Sequence, residues 1–166
     1  DETDAKGRPP RSFECFLYGG ENYKQEIGEA IFQKAPIGIK TCSTSSEPVS
    51  VTVLDDGGYE HVINFSFADY VPVHLKISIK KDARFESDGM DQIKLALMEH
   101  VNSLGMSADV IYSSLFGYIY SVNGVTNVTN LDLSTNGTTW SKNDIVINDW
   151  EVPTLASDDI TIEVVE

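Results

Sequence analysis

Apolar and polar positions alternate in several stretches of the chain and recur at three- and four-residue spacing in others. That contrast divides it into strands and helices. Phe13, Cys15 and Leu17 fall on one face of Ser12–Tyr18, which predicts a short strand broken by Gly19-Gly20. Tyr23, Ile27 and Ile31, at i, i+4 and i+8, predict a helix over about 21–34. Glu21 lies near the positive end of its dipole, and Pro36 and Gly38 end it. The polar stretch 41–47 reads as a loop. Val49, Val51 and Val53 then mark a strand to Leu54, and Ile63, Phe65 and Phe67 mark its partner over 59–67. The Asp55-Asp56-Gly57-Gly58 segment between them has the composition of a hairpin turn. This first unit reads β-α-β-β and covers 12–69.

The second unit, 70–166, opens on the clearest alternation in the sequence. Val71, Val73, Leu75, Ile77 and Ile79 face one way and Pro72, His74, Lys76, Ser78 and Lys80 the other. Pro72 cannot donate to a ladder, so this end is expected at a sheet edge or before pairing begins. Ile93, Leu97, Val101 and Leu104 predict a helix over about 88–104, with Asp88 as its N-cap and Gly105 just past its end. Ile111, Leu115, Ile119 and Val122 predict a second helix over about 108–122, capped by Ser107 and stopped at Asn123-Gly124. Strands are predicted over 125–133 and around 145–147, followed by an irregular 150–156 segment. A last strand, 159–165, carries Ile160, Ile162 and Val164. The pattern is β-α-α-β-β-β. Both units place helices on small sheets, so the fold class is α+β. Residues 1–11 are polar and aperiodic, with Gly7, Pro9 and Pro10, and read as a linker or the cut end of a longer protein.

Charge narrows the partners. With 26 acidic and 12 basic side chains the formal charge is -14, a field that repels phosphate backbones and anionic lipid surfaces. Nucleic acid and membranes are therefore not expected partners, and no apolar run approaches the about 18 residues that a membrane helix requires. An acidic face suits either solubility or a basic protein partner. Cys15 and Cys42 are the only cysteines, too few for a disulfide framework. Cys15, in an alternating run, is expected in the core; Cys42, in a polar stretch, is expected exposed and reduced. The Asn64, Asn127 and Asn136 glycosylation sequons match chance in a chain rich in Ser and Thr.

Little in the sequence converges on catalysis. His61, His74 and His100 each stand alone on their own element. His61 shares a face with Ile63 and Phe65 and reads as a core or sheet-edge histidine; His74 lies on the wet face of its strand. No pair has the spacing of a metalloprotease helix, and no cysteine lies near a histidine. Asp55-Asp56-Gly57-Gly58 lacks the alternating oxygens and closing glutamate of a calcium loop. Gly19-Gly20 is followed by no phosphate-loop lysine. The expectation is a protein that is not an enzyme and takes no cofactor or metal.

One surface feature remains. Tyr112, Phe116 and Tyr120 form an aromatic row on the 108–122 helix, offset by about 100° per residue from its aliphatic row. A helix apolar over so wide an arc is covered on two sides. Its own sheet and neighbouring helix are one cover. The other is a second subunit, since Tyr and Phe are enriched in interface cores, and this makes the row a candidate protein interface.

Two segments carry a family resemblance. The first is Gly19-Gly20, then Glu26-Ile27-Gly28-Glu29-Ala30-Ile31-Phe32 and Ala35-Pro36-Ile37-Gly38-Ile39, continued by Val51-Thr52-Val53, His61-Val62, Phe65 and Val71-Pro72-Val73. The second is Gly105, then Asp109-Val110-Ile111-Tyr112-Ser113-Ser114-Leu115, running into Tyr120-Ser121-Val122-Asn123-Gly124-Val125, with Glu151-Val152-Pro153 and the closing strand after it. In order and spacing they resemble the C-terminal part of the baseplate J-like proteins of contractile phage tails, over roughly 12–166. Asn123 departs from the family's usual proline and Tyr118 from a common alanine. The resemblance implies a structural wedge subunit of the tail baseplate, in a phage or a related contractile injection machine. It also implies a longer N-terminal region not present here. Assembly would occur in the host cytoplasm with other copies of itself and with wedge or hub proteins, and the final location would be the virion. It supplies no catalytic residue. The alternative is a receptor- or carbohydrate-binding module at a tail tip, for which Trp140 and Trp150 are the candidate aromatics.

Overall fold

In the computed structural model, which describes residues 2–165, the chain forms two units, Asp1–Ala68 and Asp69–Glu166. Among the described residues, three α-helices and ten strands in small sheets make the fold α+β.

The Ser12–Tyr18 alternation of the first unit becomes two short strands, β1 (Ser12–Glu14) and β2 (Phe16–Leu17). They separate at Cys15 because their partners differ. The first pairs parallel with β3 (Lys40–Cys42), the second with β5 (Glu60–Phe67). β5 also pairs antiparallel with β4 (Val49–Leu54), from Val49 opposite Phe65 to Leu54 opposite Glu60. β3 occupies the start of the segment read as a polar loop, and it overturns the assignment of the two cysteines. Cys42 is buried, whereas Cys15 is only partly so. Pairing with Glu14 turns the Cys42 thiol inward, 3.4 Å from the Phe13 carbonyl.

Helix α1 (Lys24–Lys34) starts later than its stripe predicted. Tyr23 precedes it and is exposed, while Ile27, Ile31 and Phe32 rest against Val49, Val53, Ile63 and Phe65. Gly28 is the helix's one buried residue. A Cβ there would stand 2.0 Å from Val51 Cγ2, so the absence of a side chain sets how closely α1 lies on β4. Below β1 the Glu14 carboxylate accepts hydrogen bonds from the Thr44 and Ser66 hydroxyls, both at 2.8 Å. Ser66 is fully buried, and Glu14 supplies the acceptor that its burial requires.

In the second unit the long alternation is likewise split, at Val73. β6 (Asp69–Pro72) pairs parallel with β9 (Glu151–Thr154), which lies inside the segment expected to be irregular. β7 (His74–Lys81) is the centre of a three-stranded sheet. It runs parallel to β10 (Ile160–Val164) on one side and antiparallel to β8 (Val125–Ser134) on the other. A 3-10 turn, Ser157–Asp159, leads into β10. Val73, Leu75, Ile77 and Ile79 are fully inside, against Ile93, Leu97 and Val101 of α2 (Gly89–Ser103) and Leu115 and Ile119 of α3 (Tyr112–Tyr120). α2 buries Ile93, Leu97 and Val101 of its predicted row, with Leu104 partly covered just past its end. α3 buries Leu115 and Ile119, and Val122 is buried beyond it. Ile111, expected in the same row, precedes the helix and is 42% exposed. Among the largest fully buried side chains only Phe65 belongs to the first unit. At about 1.5–3 kcal/mol for each such residue, the second unit holds most of the hydrophobic stabilisation.

Helix α3 is shorter than the predicted 108–122 helix at both ends. Val110 is held in an antiparallel bridge to Ile145, with both N–H···O distances at 3.0 Å, which keeps the preceding residues extended. The cap then comes from elsewhere: Asp144 Oδ1 accepts the Tyr112 N–H at 2.7 Å. Ser107 is not the cap. It sits at φ 65, donates its N–H to the Glu151 carbonyl and directs its hydroxyl to Asp149. Past the helix, Gly124 at φ 86 passes so close to Phe85 that a Cβ would lie 2.2 Å from the Phe85 nitrogen. No other residue fits that crossing.

Candidate protein interface

The aromatic row of α3 faces the edge of the sheet. β8 is an outer strand of its sheet, and an outer strand carries backbone groups that no ladder satisfies. Leu133 shows which residues point outward, since both its N–H and its carbonyl bond to Ser141, away from β7. Leu131, two residues earlier, presents its groups the same way. Its carbonyl accepts the Tyr112 hydroxyl at 3.2 Å. Beyond the irregularity in the β7–β8 register, the Val128 N–H donates to the Tyr120 hydroxyl at 3.0 Å. Tyr120 in turn points its own proton at Asn127 Oδ1, 3.3 Å away.

The rings between these hydroxyls pack inward. Tyr112 and Phe116 meet edge to face, with centroids 5.3 Å apart at 77°, and both are partly buried against the main core. Burial, with the Asp132 charge adding to it, raises the Tyr112 hydroxyl above its ordinary pKa, so the group stays a donor. Tyr120 is 45% exposed. The row read as a candidate interface is thus drawn together on one strand edge of its own unit, with Tyr120 alone left substantially at the surface.

Other singled-out residues lie apart from it. His100 stacks on Tyr118, with centroids 4.1 Å apart at 19°, and its Nε2 lies 3.3 Å from the Ser114 hydroxyl. Burial lowers its pKa. Nothing in the periodicity pointed to that stack, because Tyr118 and His100 belong to different helices and face neither predicted stripe. His61 lies 3.0 Å from Asp55 Oδ2 and tilts against Phe32. The Asp55 carboxyl is held below its usual range by that histidine and by the Tyr59 and Gly57 amides. His74 contacts Asp159 at 2.9 Å. Trp140 is partly buried, with the Lys76 ammonium 4.1 Å from its ring centroid, and Trp150 is also partly buried.

Among the described residues no three His, Cys, Asp or Glu side chains gather as a metal site, and no helix is long and apolar enough to cross a membrane. No family model matches the chain, and no curated protein matches it either.

Proposed function

We propose that the chain is a non-catalytic structural component of a contractile-tail baseplate, the C-terminal part of a wedge subunit that assembles with its own copies and with neighbouring wedge or hub proteins. The observation that carries this reading is the order of the two motif segments, above all Gly105 to Val125. The structure gives that stretch a physical sense: Val110 locks to Ile145, Asp144 caps α3, Tyr112 and Tyr120 tie α3 to β8, and Gly124 makes the close crossing. These contacts support a rigid platform rather than a mobile loop. A neighbour meeting α3 would find Tyr118 and Tyr120, the rings left at the helix surface.

Mass spectrometry of purified tail particles from the source organism is the direct test. The proposal expects peptides from 12–165 at a stoichiometry comparable with other baseplate proteins. Particles that lack the polypeptide would sink it.

A further inference from the structure

The first unit carries a second strand edge, and this one is open. Alternation along β5 fixes which of its residues face away from β4. The Ser66 N–H reaches the Cys15 carbonyl at 2.9 Å, and the Asn64 N–H reaches the Thr41 hydroxyl at 2.9 Å. Val62 and Glu60, two and four residues back, point the same way. Among the described residues nothing meets their outward N–H and C=O groups.

The open edge looks into a cleft of about 690 Å³ between β5 and the 36–41 segment. Ile37, Ile39 and Val62 stand exposed along it, Ile37 entirely and Val62 at 62%. Edge strands normally carry charge, proline or a covering segment at such a place. Here the charge is confined to Glu60 at one end, and at Val62 unpaired backbone groups and apolar side chains occur together, which is the chemistry of strand addition. Charge gives the occupant its sign. Asp55, Asp56 and Glu60 cluster at the hairpin end of the edge, in a chain of net charge -14, while Lys40 lies at the other end beside Asn64.

We propose that the Glu60–Val62 edge is a β-augmentation site. Its occupant is an extended segment of another protein, with alternating apolar residues for the cleft and a basic residue at the Glu60 end. Backbone pairing supplies the affinity, and the cleft and the acidic hairpin select the sequence. This does not depend on the baseplate reading, because it rests on the edge alone.

The test uses the full chain, isotope-labelled, and an end-capped synthetic peptide Arg-Val-Thr-Val-Thr-Ser, with a Glu-first version as control. The Arg peptide is expected to bind with a dissociation constant below about 1 mM and to slow exchange of the Val62 amide at least about tenfold at saturation. Val62→Pro removes the outward donor without touching the β4 ladder, and Val62→Lys puts charge in the cleft. Both should abolish binding while the Val51 and Ile63 amides keep their protection. Several results would overturn the proposal: an unprotected Val62 amide, equal binding of the Glu peptide, or binding retained by both variants. A dimer of the free chain that Val62→Lys disperses would also overturn it, because the edge would then be filled by a second copy.

Discussion

Tyr112 donates its hydroxyl to the Leu131 carbonyl at 3.2 Å, on the side of β8 that faces away from β7. A row that the sequence offered as either core or interface therefore satisfies an exposed strand edge within its own unit. Tyr112→Phe should cost about 1–2 kcal/mol, the price of leaving that carbonyl unmet. Tyr112→Ala also removes the ring from the core and should approach about 3 kcal/mol. Trp140 and Trp150 both lie in the second unit, so urea unfolding followed by their fluorescence reads the relevant transition. Unchanged stability with lost association would instead make the row an interface.

Gly28→Ala sets two effects against each other. Helix propensity favours alanine by about 0.8–1.0 kcal/mol. The new Cβ, 2.0 Å from Val51 Cγ2, demands a shift of α1 or β4, and overpacking of that kind costs about 1–3 kcal/mol. The net expectation is a less stable first unit, seen as faster exchange of the Ile63 and Phe65 amides. Val51→Ala removes the methyl that clashes. The double variant should then be less destabilised than the two single changes added together. Simple additivity would show that the contact does not set the helix position.

His100 gives the second unit a pH dependence of known sign. Burial disfavours its charged form, so its folded pKa lies below that of the unfolded chain. Between those two values the unfolded state binds more protons, and stability rises with pH through the window. The destabilisation is felt as pH falls below about 6.5, the unfolded value. His100→Gln keeps a polar group near Ser114 but cannot titrate. Its unfolding free energy, compared with that of the parent chain between about pH 5 and pH 7, should fall less on acidification. Parallel curves would assign the dependence to other groups.

Much of this architecture was legible because each buried row has a clean period. Ile93, Leu97 and Val101, and Leu75, Ile77 and Ile79, needed no tertiary information to be placed. The failures share one cause, pairing between residues distant in sequence. Cys42 looked exposed because its neighbours are polar, yet β3 is made by Glu14, far earlier in the chain. The start of α3 was misplaced because Val110 answers to Ile145 and the cap is Asp144 rather than Ser107. β9 was invisible because Pro153 breaks its alternation, and only β6 gives it a ladder. The aromatic row was visible as a row. Its purpose was not, because the edge it covers exists only once β8 has paired with β7.

The last turn of α2 offers the most decisive electrostatic test. Asn102 clamps the buried Leu155 backbone at both ends: Oδ1 accepts the Leu155 N–H at 2.9 Å, and Nδ2 donates to its carbonyl at 3.0 Å. Asn102→Ala leaves both groups unmet and should cost about 2 kcal/mol. Asn102→Asp keeps the acceptor, but its carboxylate faces the Leu155 carbonyl with no proton to donate. Only the protonated acid can restore the second bond, so folding should raise this carboxyl above its unfolded value of about 3.9. A group raised in the folded state contributes stability below its unfolded pKa and loses it as pH rises through the folded one. Relative to the parent chain, Asn102→Asp should therefore be closest to normal near pH 3.5 and weakest near pH 7, with Asn102→Ala showing no such trend. An Asp variant whose deficit stays constant with pH would mean that the Leu155 carbonyl has found another donor.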